Sequence, residues 1–280
     1  MNIINKIKCL LLRKKIVNYL KKRSELSGDP EVQSVIQFLL HNKIEIFPYP
    51  FLKKYKNMQI RVYQDSDGYM YVLHNGKKLY GKYSWSEKVF KEYYSFLLSE
   101  QNPLSPHCYF TGKDRIPKKG SIVADIGVAE GNFSLDIIES VSKIYMFECD
   151  KDWLEPLKRT FQPWLDKVQF VEAFVSDEDT GDNITLDSYF KDKDIDYIKA
   201  DIEGAEERML KGGIHTFSSK IKSALLCAYH TNDAESIIID YATKHGFLCD
   251  INHGYMLFYN GSPLNLAKPF IRRGVIWLYK

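Results

Sequence analysis

The chain has 280 residues, with 39 Lys and Arg against 36 Asp and Glu for a net charge of +3. That is enough chain for one large domain or two small ones with a sizeable core, and too little charge to point to a nucleic-acid partner. No run approaches the ~18 apolar residues needed to span a bilayer, and the apolar cluster at residues 9–12 is too short for the core of a signal peptide.

Residues 2–23 carry Ile3, Ile4, Ile7, Leu10, Leu11, Val17 and Leu20 at roughly helical spacing, among Lys6, Lys8, Arg13, Lys14, Lys15, Lys21, Lys22 and Arg23. A basic amphipathic helix is predicted there. Such a helix either packs its apolar side on the protein or a second subunit, the commoner arrangement, or lies peripherally on an anionic membrane. The run Ser27-Gly28-Asp29-Pro30 marks a turn, with Asp29 or Pro30 opening a second helix. Residues 59–83 read as a β-meander, with strands at 60–63 and 69–74 and a hairpin turn at Asn75-Gly76. Ser84-Trp85-Ser86-Glu87 has capping-box spacing before a helix running through Ser99. Residues 101–120 contain three prolines and read as a linker or lid.

From residue 121 the pattern alternates. Strands are predicted near 121–126, 143–148, 168–175, 195–201, 221–229, 247–252 and 255–260, and helices near 131–141, 151–162, 205–212 and 233–245. This implies an α/β fold, a mostly parallel sheet with helices on both faces, preceded by an α+β region. The expected division is residues 1–120, helical and β-meander with the linker or lid, and residues 121–280, the cofactor-binding domain. The five cysteines (Cys9, Cys108, Cys149, Cys227, Cys249) form no C-x-x-C pair. Reduced thiols in a cytoplasmic protein are expected, buried at the strand positions Cys149, Cys227 and Cys249, and zinc is not.

The segment at 122–135 carries the most chemistry. An apolar strand ends in Asp125-Ile-Gly127, a tight turn follows to Gly131, and Glu148 ends the next strand one βαβ unit later. Glycines admit a ligand close to the backbone, the helix start offers free N–H groups, and an acidic strand end at that spacing suits ribose hydroxyls. The pattern is D-x-G-x-x-x-G, not the G-x-G-x-x-G of dinucleotide folds, and Glu130 sits inside the turn. Its carboxylate would repel a pyrophosphate but suits a cationic ligand end, such as the methionine part of S-adenosylmethionine. A lone glycine pair would mean only an ordinary strand–turn–helix; Asp125 and Glu148 favour the cofactor.

Further motifs follow: Thr185-Leu-Asp-Ser188, Ile198-Lys-Ala-Asp-Ile-Glu-Gly-Ala-Glu206, Ala228-Tyr-His230, and Val175-Ser-Asp177. In this order they resemble the FkbM-like methyltransferases, class I S-adenosylmethionine enzymes that are mostly O-methyltransferases, often acting on sugars and related natural products. The resemblance spans roughly residues 121–260. It implies a Rossmann-like class I sheet closed by an antiparallel strand, S-adenosylmethionine as cofactor, and a sugar, glycan or related small molecule as acceptor. Many members carry Pro after the ribose-binding Glu, where this chain has Cys149. Ser105-Pro-His-Cys-Tyr109 resembles a segment upstream of the core in one branch, folding over the cofactor or serving as a packed connector, and His107 stays outside the catalytic set.

Asp125, Glu148, Asp201 and His230 end predicted strands on the rim where open parallel sheets bind ligands. Asp125 is expected to orient the glycine loop (Gly127, Glu130, Gly131) and the methionine amine, and Glu148 to accept both ribose hydroxyls. Cys149 and Phe174 flank the adenine, although Phe174 reads equally as core. Asp201, Glu203 and His230 form the expected catalytic group: His230 takes the acceptor proton and Asp201 orients it, or the group holds Mg²⁺ or Mn²⁺. Taken alone, His230 also reads as a hydrogen-bonded strand-end histidine. Glu206 and Glu207 fit a solvated helix face. Two other functions stay open: a nucleic-acid methyltransferase, although Asp201-Ile-Glu-Gly204 stands where base methylation often uses an Asn-Pro-Pro-Tyr-type motif, and a non-catalytic cofactor-binding protein, which intact Asp201 and His230 argue against.

Overall fold

The first helix of this computed structural model is α1 (Ile3–Lys22), and the structure describes residues 3–23 and 28–280. Asn2, at the start of the predicted helix, and Ser27, at the start of the predicted turn, lie outside the described residues. Asp29 caps α2 (Pro30–His41) by accepting a 2.7 Å hydrogen bond from the Glu31 amide, and Pro30 fills the first turn. Ile16, Val17 and Leu20 of α1 pack with Val32, Val35, Ile36 and Leu39 of α2 and with Leu257, Phe270 and Ile271. The first half of α1 is different: Ile4, Ile7, Leu10 and Leu11 are all at least 50% exposed.

After α3 (Leu52–Lys56), the meander forms as an antiparallel sheet of β1 (Tyr63–Gln64), β2 (Met70–His74) and β3 (Lys77–Tyr80). Asn75 and Gly76 both take positive φ, 52° and 82°, as a tight hairpin requires. The predicted strand at 60–63 is reduced to β1, whose two residues pair with Tyr71 and Met70. Helix α4 (Glu87–Glu100) is capped by Ser86, whose hydroxyl accepts from the Val89 amide at 3.3 Å, so Ser84 of the capping-box reading is not the cap.

The alternating half then runs β4 (Ile122–Ile126), α5 (Asn132–Ile137), β5 (Lys143–Phe147), α6 (Lys151–Thr160), β6 (Val168–Val171), β7 (Phe174–Val175), β8 (Asn183–Ile184), α7 (Leu186–Tyr189) and β9 (Tyr197–Ala200). It continues with α8 (Glu206–Lys211), α9 (Ile214–Ser219), β10 (Ser223–Cys227), α10 (Ala234–Lys244), β11 (Leu248–Ile251) and β12 (Val275–Tyr279). Seven strands make one sheet in the order β11-β12-β10-β9-β4-β5-β6, with β12 antiparallel to both neighbours. Alternate residues of each strand enter separate apolar clusters: Val123, Ile144 and Leu225 on one face, Ala124, Tyr145 and Leu226 on the other. The first cluster also takes in Phe47, Val72, Leu79, Phe90 and Tyr109, so the chain before residue 121 covers that face of the sheet.

Two predicted strands differ. The run at 168–175 divides after Val171, and β7 pairs with β8 outside the main sheet. Residues 255–260 form no strand beyond a single bridge from Met256 to Arg272. Their backbone is satisfied elsewhere: the Tyr255 amide donates to the Tyr49 hydroxyl at 2.7 Å, and the Leu257 amide to the Ile46 carbonyl at 2.8 Å. The closing antiparallel strand is Val275–Tyr279.

Candidate active site

The chain order reverses direction across the sheet between β4 and β9, and there the loops leaving their carboxyl ends touch. Gly127 follows β4 at φ 73°, and a Cβ on it would stand 1.9 Å from the Asp201 carbonyl oxygen. No other residue admits that approach. Two non-glycine residues of these loops, Ala129 (φ 48°) and Glu203 (φ 55°), also take the left-handed conformation, which costs energy and concentrates at functional sites.

Asp125 is fully buried beneath the loop. Its Oδ1 lies 3.0 Å from Lys199 Nζ, its Oδ2 accepts from Ser134 at 2.7 Å, and Lys199 Nζ donates to the Gly127 carbonyl at 2.7 Å. Burial opposes the Lys199 charge, but Asp125 and Asp201 outweigh it and hold the ammonium protonated. Asp125 therefore braces the glycine loop and borders neither of the two cavities along this rim. Gly131 also borders neither. It caps α5 at φ 86°, and a Cβ there would meet Leu157 and Phe161 at 2.9 Å, so helix packing demands the glycine.

Two cavities open along this rim. One, of about 280 Å³, is bordered by Gly127, Glu148, Cys149, Trp153 and Phe174. Glu148 is 7% exposed, and its two oxygens each accept a backbone amide, from Ala129 at 2.8 Å and Asp150 at 2.7 Å. Each oxygen keeps a free lone pair for a ligand. Cys149 is exposed at this mouth, correcting the expectation of a buried thiol, whereas Cys227 is buried. The second cavity, of about 190 Å³, shares Gly127, Ala129, Asp201 and Glu203 with the first, and adds Tyr93, Glu100, His107, Tyr109, Glu130 and Tyr229. Glu130 thus faces the second cavity and not the first; it accepts a short hydrogen bond from the Tyr93 hydroxyl, and burial pushes its carboxyl up.

Asp201 is the hub between them. Its Oδ1 accepts from the Tyr229 hydroxyl at 2.9 Å and its Oδ2 from the Tyr109 hydroxyl at 3.1 Å. His107 Nε2 lies 3.3 Å from Oδ2, and His230 Nε2 3.4 Å from Oδ1. Burial works against the Asp201 charge, but His107, His230 and Lys199 prevail and hold it well below the usual carboxylate range. His230 lines neither cavity. Its side chain is 3% exposed, with Nδ1 3.1 Å from Glu206 Oε1 and Nε2 3.7 Å from Glu203 Oε2. Burial opposes its protonation, yet Glu206, Asp201 and Glu203 raise its pKa overall. His107 is raised in the same way, against burial, by Glu100 and Asp201.

Sequence reasoning missed several of these groups. Glu206, read as a solvated helix residue, is 2% exposed: it begins α8 and folds back to accept from the Ile202 amide at 3.2 Å. Its place in the long 198–206 motif was the available signal. Glu207 does face solvent, paired with Lys211 at 2.7 Å. Glu100, at the end of α4, faces the second cavity with no hydrogen bond or ion pair from its carboxylate to any described residue. Burial lifts it, His107 pulls it back, and the charges of Asp201, Glu130 and Glu203 leave it at about 7.

Residues 127–249 match the model of the methyltransferase FkbM domain. A solved methyltransferase FkbM from Methylobacillus flagellatus KT aligns at TM-score 0.51 and 14% identity over 98% of this chain; the chain spans 59% of that protein's length. Magnesium protoporphyrin IX methyltransferase from Synechocystis PCC 6803, solved with bound S-adenosylmethionine, aligns at TM-score 0.43 and 13% identity over 70% of this chain and 86% of its own. Precorrin-6y C5,15-methyltransferase from Geobacter metallireducens GS-15 aligns at 0.41 and 15% over 68% and 89%. No curated protein matches the chain. The sheet order with its one antiparallel strand and the glycine loop braced at β4 agree with the matched domain: residues 127–249 match a methyltransferase FkbM domain, and the fold is similar to that of a solved methyltransferase FkbM.

Proposed function

We propose that the chain transfers a methyl group from S-adenosylmethionine to a hydroxyl of a sugar, glycan or related small molecule. One observation carries this reading: two cavities meet at Gly127, Ala129, Asp201 and Glu203, one bordered by the Glu148 carboxylate, the other crowded with polar side chains. In this reading residues 121–280 hold the cofactor and residues 1–120 shape the acceptor side. Glu148 would take the ribose hydroxyls, Cys149 and Phe174 the adenine, and Glu130 and Asp201 the cationic end. When bound, the cofactor supplies an electrophilic methyl group on a sulfonium. The carboxylates, phenols and imidazole of the second cavity suit a polyol, which offers many donors and acceptors and no net charge.

The attacking hydroxyl must lose its proton. Asp201 is held ionised, and each of its oxygens accepts a phenol hydroxyl, so it fixes charge and orientation. His230, raised in pKa and buried behind Asp201, fits a positioning role; Glu100, unpaired and at about 7, fits the base. Glu203, 85% exposed, stands at the rim that the two cavities share. A divalent cation fits this site poorly. Asp201, Glu206 and His230 bring donor atoms within 4.8 Å of one another, but His230 is biased toward its protonated form, and a protonated ring ligates no metal. Magnesium also keeps several waters, and the His230 side chain is 3% exposed. Cytoplasmic action is part of the proposal, supported by five free cysteines.

The test is transfer of labelled methyl from S-adenosylmethionine into fractionated glycans and small metabolites, with cellular RNA as a parallel fraction. Label in a glycan or small-molecule fraction supports the proposal. Label confined to RNA, or binding of S-adenosylhomocysteine with no transfer anywhere, overturns it.

A further inference from the structure

One face of α1 is left uncovered by the fold. The helix turns Ile16, Val17 and Leu20 onto α2, and these are 7% exposed or less. Ile4, Ile7 and Leu11 recur at i, i+3 and i+7 on the opposite side, with Leu10 beside them, and are 63%, 52%, 61% and 50% exposed. Scattered exposed aliphatics are ordinary; four within two turns of one helix are not. The exposed Lys8, Lys14 and Lys15 border this stripe, and Lys21 and Lys22 extend it. Residues 2–23 hold eight Lys and Arg and no Asp or Glu, while the whole chain nets only +3. The rest of the chain is therefore acidic in balance, and positive charge gathers on α1. At its edge lies a mainly apolar cavity of about 300 Å³ bordered by Lys6, Leu10, Arg13, Lys43 and Pro263.

We propose that α1 docks the protein flat on an anionic lipid surface, with Ile4, Ile7, Leu10 and Leu11 entering the interface and the lysines meeting lipid headgroups. The composition of the face selects this occupant. An apolar stripe bordered by lysines matches the depth profile of a bilayer surface, where aliphatic groups sink and ammonium groups stay at headgroup level. Single-stranded nucleic acid would use the positive charge but leave the aliphatics without a role. It also wants aromatic platforms, and the aromatic ring of α1 at Tyr19 is turned away, edge-on to Phe270 at 5.1 Å. A second copy of the chain packed face to face would press two all-basic helices together. No described helix is long and apolar enough to cross a membrane, so the contact is peripheral. The proposal goes beyond methyl transfer, and either can fail while the other stands.

The experiment is cosedimentation of the full chain with vesicles of phosphatidylglycerol and phosphatidylcholine in equal parts, against phosphatidylcholine alone. Binding to the anionic vesicles at least roughly tenfold tighter, and weakening as salt is raised, is expected. The double variant Ile7→Asp/Leu11→Asp changes only exposed positions. It should lose most of that binding while keeping the parent's thermal unfolding midpoint and its affinity for S-adenosylhomocysteine. Lys14→Glu/Lys15→Glu should weaken binding to anionic vesicles and leave the unfolding midpoint unchanged. Equal partition onto both vesicle types, or undiminished binding by the Asp pair, overturns the proposal. So does a dimer that the Asp pair dissolves in sedimentation equilibrium, or retention on single-stranded RNA without retention on vesicles.

Discussion

The two halves of the candidate site are built by different means. The cavity on the Glu148 side gathers around neighbouring loops: the Gly127 turn, the Ala129 and Asp150 amides that hold Glu148, and the ends of adjacent parallel strands. The cavity on the Glu100 side is made of side chains from distant segments: Tyr93 and Glu100 from α4, His107 and Tyr109 from the connector, Asp201 after β9, Tyr229 after β10. A site of neighbouring turns and strand ends is fixed by local sequence. One assembled from these four segments can be altered one side chain at a time. It also gathers buried ionisable groups in one place, so it should respond to pH more than the other.

The sharpest way to break both halves at once is the brace beneath them. Removing one partner of a buried, hydrogen-bonded ion pair leaves a lone charge and costs about 3–5 kcal/mol. Asp125→Ala, which strands the Lys199 ammonium, should lower stability by that amount in urea unfolding, and Asp125→Ala/Lys199→Met should recover much of it. An Asp125→Ala protein as stable as the parent would show that the loop does not depend on the pair.

Glu100→Gln tests the acceptor half alone. In the fraction that accepts label, turnover should fall by about 10²–10⁴-fold, the usual contribution of a positioned base. Affinity for S-adenosylhomocysteine, measured by calorimetry, should be unchanged. A base works deprotonated, so the parent's rate should climb with pH through about 7, and the variant should lose that limb. A preserved limb with full turnover would move the base to another group, His107 first.

Glu148→Ala tests the other half. Hydrogen bonds to a charged acceptor contribute about 1.5–3 kcal/mol each. Affinity for S-adenosylhomocysteine should therefore fall at least roughly tenfold, with turnover at saturating cofactor nearly kept. Unchanged affinity in the variant would remove the ribose assignment.

The same division decides what could be read before folding. The strand at 122–126, its glycine turn and Glu148 are contiguous or one βαβ unit apart, so the first half was legible. So were Asp29 at its cap and Asn75-Gly76 at its hairpin, because each acts on its own neighbours. Asp201 and His230 were found as strand ends, but their surroundings were not. Tyr109 and Asp201 are 92 residues apart, His107 and Tyr229 122, and nothing local in Glu100 says which cavity it will face. Ser86 displaced Ser84 as a cap by two positions that the pattern could not separate. The strand at 275–279 replaced that at 255–260 because Tyr49, some two hundred residues earlier, claims the Tyr255 amide.

A smaller effect is the pH dependence of stability, which the acceptor half should dominate. Glu100 has a raised folded pKa, so folding disfavours its ionised form and stability is lost as pH rises from the ordinary Glu range toward about 7. His107 and His230 are also raised. Their contribution is fully present below the unfolded His value near 6.5 and is lost as pH rises through their folded values. Asp201 is lowered and contributes stability above the unfolded Asp value, which is lost only in strong acid. The unfolding midpoint should therefore decline between mildly acidic and alkaline pH, and Glu100→Gln should flatten the lower part of that decline. A midpoint flat over this range would mean that the cluster is already relaxed by water.

The smallest expected effect separates a charge cluster from a metal centre at the same atoms. Asp201, Glu206 and His230 have donor atoms close enough to hold a cation. A cation there would need His230 deprotonated. The three carboxylates that raise the His230 pKa already supply what a proton on the ring neutralises, so a bound proton and a bound metal compete for one place. Treatment with a chelator followed by dialysis should leave methyl transfer and the unfolding midpoint unchanged, and added Mg²⁺ or Mn²⁺ should raise neither. Loss of transfer with the chelator, restored by Mn²⁺, would assign the cluster to a cation and take His230 from a proton holder to a ligand.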